Sequence, residues 1–340
     1  MNKYFKDYFC PSCNKQTKIK KLNFDYKTNR YTKNLNDKFN ISEKLIIENT
    51  ELSQCLDCHL IFFNKWIKES YIKILYSETI HHAGWNRLFM ILNQNQKFIN
   101  NRYLILKYIE NRFNNIKSYA EFGCPFMGLL LFFNLIKNKN NSLITNINNI
   151  FLKKNIDDSK YYKQISIFYK IIKFVNYTVF KIYNFFNFIY TKNFSKNFDI
   201  KINLEKLFFI NYISERNWNL SCNMMNINCR NLISKIDNIN YIELKDLNQK
   251  IDLIYLDNVI DHTDEILNIL NKIFIKSDNI VIQAHGIQGG IQHSFFLTLD
   301  YLKKISTKFS FNVEVLNKDL KKIENDSYLE DKFYILQKLS

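Results

Sequence analysis

The chain has 340 residues, 46% of them hydrophobic, which is enough for one large α/β domain and a small accessory module. No stretch reaches the roughly 18 uncharged apolar residues of a membrane span, and Lys3, Lys6 and Asp7 interrupt the start where a secretory signal needs an apolar run, so cytoplasmic residence is expected. The formal charge of +16 accompanies a general excess of Lys, Asn, Ile, Phe and Tyr with 6 Gly and 2 Pro, and so reads as compositional bias before it reads as a nucleic-acid surface.

Seven cysteines in such a chain point to free thiols or metal ligands rather than disulfides. Cys10-Pro11-Ser12-Cys13 and Cys55-Leu56-Asp57-Cys58 are two Cys-x-x-Cys knuckles, each turning two thiolates to one side. Together Cys10, Cys13, Cys55 and Cys58 supply the closed S₄ set of a structural Zn²⁺, across 41 intervening residues that a hairpin or loop must span. A thioredoxin-like redox role needs one pair at the start of a helix and fits less well. A zinc-binding module over 1–75 is expected, then a helical linker over 76–117, in which His81, His82 and Trp85 are candidates to border a substrate entrance. Gln96–Lys117 carries helical periodicity.

The run Ser118–Leu131 reads as strand, tight turn and helix. It resembles motif I of class I S-adenosylmethionine (SAM)-dependent methyltransferases, an acidic residue followed by alternating glycines, with Glu121, Gly123 and Gly128 as the matching positions. Pro125 stands where the family has its middle glycine, and it removes one amide donor from the loop. Downstream, Ile251–His262 is similar to the family's fourth strand and the acidic-His pair that follows it, with Asp261 for the usual Glu. Asp264–Leu270 then fits the next helix, Asn279–Gln283 strand 5, Asn312–Leu316 strand 6 and Lys332–Leu339 strand 7. Tyr241–Leu247 fits strand 3, and Lys206–Ile213 is preferred as strand 2 over Ser142–Asn148, which lacks an acidic terminus and leaves a very long crossover.

The resemblance implies an α/β, Rossmann-like seven-stranded methyltransferase sheet over 118–340. It implies SAM held near Glu121, Gly123, Gly128, Glu215, Asp246, Asp257, Asn258 and His262, with Glu215 at the ribose. The knuckle sequence continuing through His59–Asn64 and Tyr71–Tyr76, and Gln292–Thr298 after strand 5, resemble one zinc-bearing group of these enzymes that acts in sugar and surface-polysaccharide biosynthesis. A small-molecule acceptor, first a nucleotide-linked sugar or glycan precursor, follows from that likeness. His285 and His293, at the carboxyl edge beyond strand 5, are the candidate general bases.

Residues 137–205 form an insertion rich in Lys and in aromatics at helical spacing. It is expected as a helical lid, with peripheral contact to an anionic membrane as the rival. Cys222 and Cys229 share a helix face as buried thiols. Two other functions remain: a SAM-fold protein without catalysis, suggested by Pro125, and an RNA methyltransferase, suggested by zinc and charge. The second is disfavoured because the charge concentrates in the insertion and no RNA-binding signature accompanies it.

Overall fold

A computed structural model describes residues 3–24, 30–72, 96–122, 128–138, 198–211, 239–262, 265–287, 293–324 and 326–339. The insertion's residues 139–197, the loop with Gly123, Cys124 and Pro125, the segment with Glu215, Cys222 and Cys229, and His81, His82 and Trp85 lie outside them. Among the described residues no helix is long and apolar enough to cross a membrane.

Two sheets organise the described residues. The first comprises β1 (Phe5–Asp7), β2 (Ile19–Leu22), β3 (Glu51–Cys55) and β4 (Ile61–Ile67), in the order β1-β4-β3-β2, with helices α1 (Arg30–Phe39) and α2 (Glu43–Asn49) between β2 and β3. Ser42 opens α2 by accepting the Leu45 N–H at 3.2 Å.

The second sheet has seven strands. They are β5 (Ser118–Phe122), β6 (Lys206–Asn211), β7 (Ile239–Glu243), β8 (Leu253–Asp257), β9 (Asn279–Ala284), β11 (Phe311–Asn317) and β12 (Lys332–Lys338). Their order is β11-β12-β9-β8-β5-β6-β7, and β12 alone among them runs antiparallel, to both its neighbours. In strand numbers of this sheet that is 3-2-1-4-5-7-6. This is the Rossmann-like methyltransferase sheet expected, and Lys206–Asn211 takes the place of strand 2 beside β5.

The parallel strands are apolar on both faces, as a sheet covered on both sides requires. Tyr119, Leu207, Phe209, Leu253 and Tyr255 face α3 (Gln96–Arg112) and α4 (Gly128–Asn138). Ala120, Phe122, Phe208, Ile254 and Leu256 face α5 (Ile266–Lys276) and α6 (Leu299–Ser306).

The cysteine turns share that second core. Cys10, Cys55, Cys58, Leu60 and Phe62 belong to the same apolar cluster as Phe122, Leu256 and Tyr301. The joint is a two-residue strand, β10 (Phe295–Phe296), which leaves the parallel domain and pairs with β4: Phe295 opposite Phe62, Phe296 opposite Ile61. Side chains alternate along β4 and β10, so Phe62 and Phe295 enter the parallel domain's core, while Ile61, Phe63 and Phe296 enter that of the N-terminal sheet.

Asn14, Asn40, Asn115 and Asn258 all adopt positive φ. In a chain so poor in glycine, Asn fills left-handed positions because its short polar side chain tolerates them.

Because Phe62 is buried between the two sheets, we expect Phe62→Ala to cost about 3–5 kcal/mol and to lower one shared thermal transition. Scanning calorimetry checks this; two separated transitions in the unaltered protein would contradict it.

Candidate functional site

The cysteines come together as their spacing requires. Cys10 follows β1, Cys55 ends β3, and the Sγ atoms of all four lie within 4.8 Å of one another. Cys10 and Cys58 are 3.5 Å apart and Cys13 and Cys55 3.8 Å. Four sulfurs about 2.3 Å from a tetrahedral zinc sit ~3.8 Å from each other, so the donor set has the shape of that coordination.

Both knuckles turn alike. Asn14 N–H donates to the Cys10 carbonyl and His59 N–H to that of Cys55, each at 2.8 Å, and Asn14 and His59 carry φ of 51° and 67°. The Cys58 thiol and the amides of Cys13 and Ser12 push the Cys10 thiol down to about 6, against the cost of burial. Burial and the Cys10 charge push Cys13 up to about 12, and the hydrogen bond to Cys10 pushes Cys58 up. The Cys10 thiolate thus opposes ionisation of Cys13 and Cys58, a repulsion that a bound cation would relieve.

A second constellation lies at the carboxyl edge of the parallel sheet. The chain leaves β5 and β8 toward opposite sides, so their ends form the switch point at which open α/β sheets bind ligands. Glu121 is fully buried there. Its Oε2 accepts the N–H groups of Leu129 and Leu130, at 3.1 and 2.7 Å, in the first turn of α4, where free amides and the helix dipole favour a carboxylate.

Asp257, at the end of β8, is paired at 3.0 Å with the Arg102 guanidinium from α3, which also lies 4.9 Å over the Phe98 ring. Asn258 follows with φ of 50°, its N–H donating to the Gln283 carbonyl and its Nδ2 to Asp257. Asn258 Oδ1, and Asn211 Nδ2 at the end of β6, are buried without a hydrogen-bond partner among the described residues. Such atoms cost about 1–3 kcal/mol each unless something meets them. Beside Asn211 a cleft of about 730 Å³ opens at the carboxyl ends of β6 and β7, lined among others by Glu243, Lys245, Asn268 and Lys272.

The third group gathers both candidate bases. His293 is buried, with Nδ1 2.7 Å from Oδ2 of the equally buried Asp261, in the turn after β8. His285, just beyond β9, stands with its ring centre 4.4 Å from that of His293 and its Nδ1 3.6 Å from Asp331. Gly286 donates its N–H to Asp331 at 2.9 Å, and a Cβ at that glycine would meet the Glu330 backbone at 2.4 Å, so only glycine lets the two loops approach.

Burial lowers the His293 pKa below its ordinary value, Asp261 opposing and His285 adding to the shift. Burial alone would raise Asp331, but the hydrogen bond and charge of His285 and the Gly286 amide hold it low. Asp261, His285 and His293 have the donor types of a metal site, within 4.8 Å. The 2.7 Å between Asp261 and His293 is nonetheless a hydrogen-bond separation, shorter than the ~3.4 Å between two ligands of a tetrahedral zinc.

Among the expected cofactor residues, Glu121, Asp257 and Asn258 converge at the switch point, Gly128 opens α4, and His262 closes the short turn Ile260–His262. Gly123 and Glu215 lie outside the described residues. Strand 3 ends earlier than the run Tyr241–Leu247: β7 stops at Glu243, and Asp246 is exposed on the 3₁₀ turn beyond it. Glu243, 2.9 Å from Lys245, and Glu265 are the acidic residues that line the cleft among the described residues. Arg102, Asn211, Asp331 and the pairing of Asp261 with His293 escape a reading of the sequence. Arg102 has a visible sign, a charge on the apolar face of Ile99, Leu106 and Ile109 at helical spacing.

No protein-family model and no curated protein matches the sequence. Among solved structures the chain is similar to magnesium protoporphyrin IX methyltransferase (ChlM) from Synechocystis PCC 6803 with bound SAH, at 9% identity and a TM-score of 0.37, over 80% of this chain and 100% of that one. It is similar to the plantazolicin methyltransferase BpumL in complex with SAH, at 11% identity and 0.37, over 80% and 99%. A third is the N-terminal domain of EvdMO1 with SAH and D-fucose, at 8% and 0.35, over 71% and 83%.

Arg102→Met should remove the guanidinium that neutralises buried Asp257 and cost about 3–5 kcal/mol in chemical denaturation, whereas removing both partners recovers much of it. Equal losses in the single and double replacements would show that the pair does not act as one.

Proposed function

We propose that the chain is a class I SAM-dependent methyltransferase acting on a small-molecule acceptor. The observation that carries this is the carboxyl edge of the seven-stranded sheet: strand order 3-2-1-4-5-7-6, with Asp257, Asn258 and the start of α4 at its switch point. The orphaned Asn211 Nδ2 and Asn258 Oδ1 fit a ligand with hydroxyl and amino groups, as the nucleoside and aminopropyl parts of SAM are.

SAM, when bound, supplies a methyl group already activated on a sulfonium. The chain's own part is orientation and proton removal. With Nδ1 of His293 held on Asp261, Nε2 is the nitrogen that takes the acceptor's proton, and His285 with Asp331 flanks it. Burial keeps that imidazole neutral at pH 7 and ready as a base. Cys10, Cys13, Cys55 and Cys58 would hold a Zn²⁺ in a structural role, since four thiolates complete its usual ligand set. A nucleotide-linked sugar or glycan precursor as acceptor is supported by the likeness of the knuckle sequence and of Gln292–Thr298 to the sugar-modifying group.

Calorimetry with SAM and SAH should show saturable binding that Gly123→Val abolishes; no heat at millimolar SAM would overturn the assignment. With labelled SAM and a panel of nucleotide sugars, His293→Gln should lower turnover about 10²–10⁴-fold and leave SAH affinity intact.

The acid limb of the rate should lie below pH 6.5, because burial depresses the His293 pKa from that ordinary value. Stability follows the same sign, falling as pH drops through 6.5, where the unfolded chain takes up the proton more readily. An acid limb above pH 7 would exclude His293 as the base.

Elemental analysis should find about one zinc per chain, lost in Cys55→Ser.

A further inference from the structure

Methyl transfer itself asks nothing of a cysteine module, yet both knuckles are tied to the segment that carries His293. From the first knuckle, Ser12 Oγ receives the Tyr301 hydroxyl at 3.1 Å. From the second, the Asp57 carbonyl accepts the Lys304 ammonium and the His59 carbonyl accepts the Thr298 hydroxyl at 2.9 Å. Directly after that knuckle, the Phe63 N–H donates to the Ser294 carbonyl at 3.1 Å, and β4 pairs with β10. Ser294 is the neighbour of His293.

Thr298 is the hinge pin of this arrangement. Its hydroxyl reaches the knuckle while its Oγ1 also accepts the Tyr301 N–H at 3.1 Å, capping α6. The parallel domain meets the same run at Asp261 on His293, at the Tyr334 hydroxyl on the Leu297 carbonyl and at Asp326, which accepts the Leu299 N–H. A strand of two residues has no stability of its own, so β10 keeps its place through β4. β4 in turn starts three residues after Cys58.

We propose that the cysteine module acts on the reaction through His293: filled knuckles fix β4 and the cap of α6, these fix Ser294 and β10, and the imidazole is thereby held against Asp261. Thr298 is the positioning residue of that chain of contacts. The inference rests on His293 being the proton acceptor, although its placement is measurable without any turnover.

With 6 histidines in the chain, imidazole NMR of the full-length protein is tractable, and His293→Gln assigns the signal. Titration of His293 and SAH affinity are then measured in the unaltered protein, in protein stripped of zinc by a chelator, and in Thr298→Val, which keeps size and zinc while losing both hydroxyl bonds. We expect the His293 midpoint to rise toward 6.5 in the stripped protein and in Thr298→Val as the ring leaves its buried place. SAH affinity should hold in both. In Thr298→Val, kcat should fall by up to about 10²-fold, the effect of misplacing a catalytic group by an ångström.

An unmoved His293 titration in Thr298→Val overturns the proposal. So does loss of SAH affinity in step with the shift, since the module would then support the whole fold and not this residue. Should the unaltered protein bind no SAH, the methyltransferase assignment falls, and the His293 titration still decides the positioning.

Discussion

Three carboxylates are buried along one edge of the parallel sheet, and much of the molecule's arrangement follows from how each is met. A carboxylate taken out of water must find donors or a positive charge, or the fold loses several kcal/mol. Glu121 finds the first amides of α4, which sets where that helix begins over β5. Asp257 finds Arg102, which docks α3 across the end of β8. Asp261 finds His293, whose segment must cross from β9 to the N-terminal sheet to bring it there. Each compensation comes from a different element, so the edge where a ligand would sit is also where helices and loops are pinned.

The cysteine turns belong to this economy and are no appended lobe. Their thiols and Phe62 lie in the same core as the parallel strands, and their carbonyls and the Ser12 hydroxyl meet residues of α6 and its cap. Each sheet lends the other a surface. The N-terminal strands β1–β3 are short or half-exposed, and a sheet of that size needs packing against a second element to persist.

Most of this sheet is legible in the residues. Leu253–Asp257, Asn279–Ala284 and Lys332–Lys338 are near-continuous apolar runs of strand length, as parallel or doubly covered strands must be. The knuckles are legible because metal geometry fixes the Cys-x-x-Cys spacing. The end of β7 is not, since at the sheet's edge only Ile239 is buried and the half-exposed residues after it lack a period. Nor is β10: Phe295 and Phe296 look like one more apolar pair, and their partner strand lies near the other end of the chain. The ionic pairs escape for the same reason, because periodicity says which face a residue takes and nothing about what it meets there.

The pairing of Phe62 with Phe295 also sets a timetable. At about 5–20 residues per second of synthesis, the first strands leave the ribosome on the order of ten to fifty seconds before β10 exists to join them. Throughout that interval half of one side of β4, Ile61 and Phe62, offers unpaired backbone and an open aromatic face, the kind of edge that seeks any strand available. The chain thus completes its N-terminal sheet by the strand pairing with the largest sequence separation among the described residues. Whatever shields that edge during synthesis, a chaperone or simply fast completion, decides how much of the newborn protein reaches the native state.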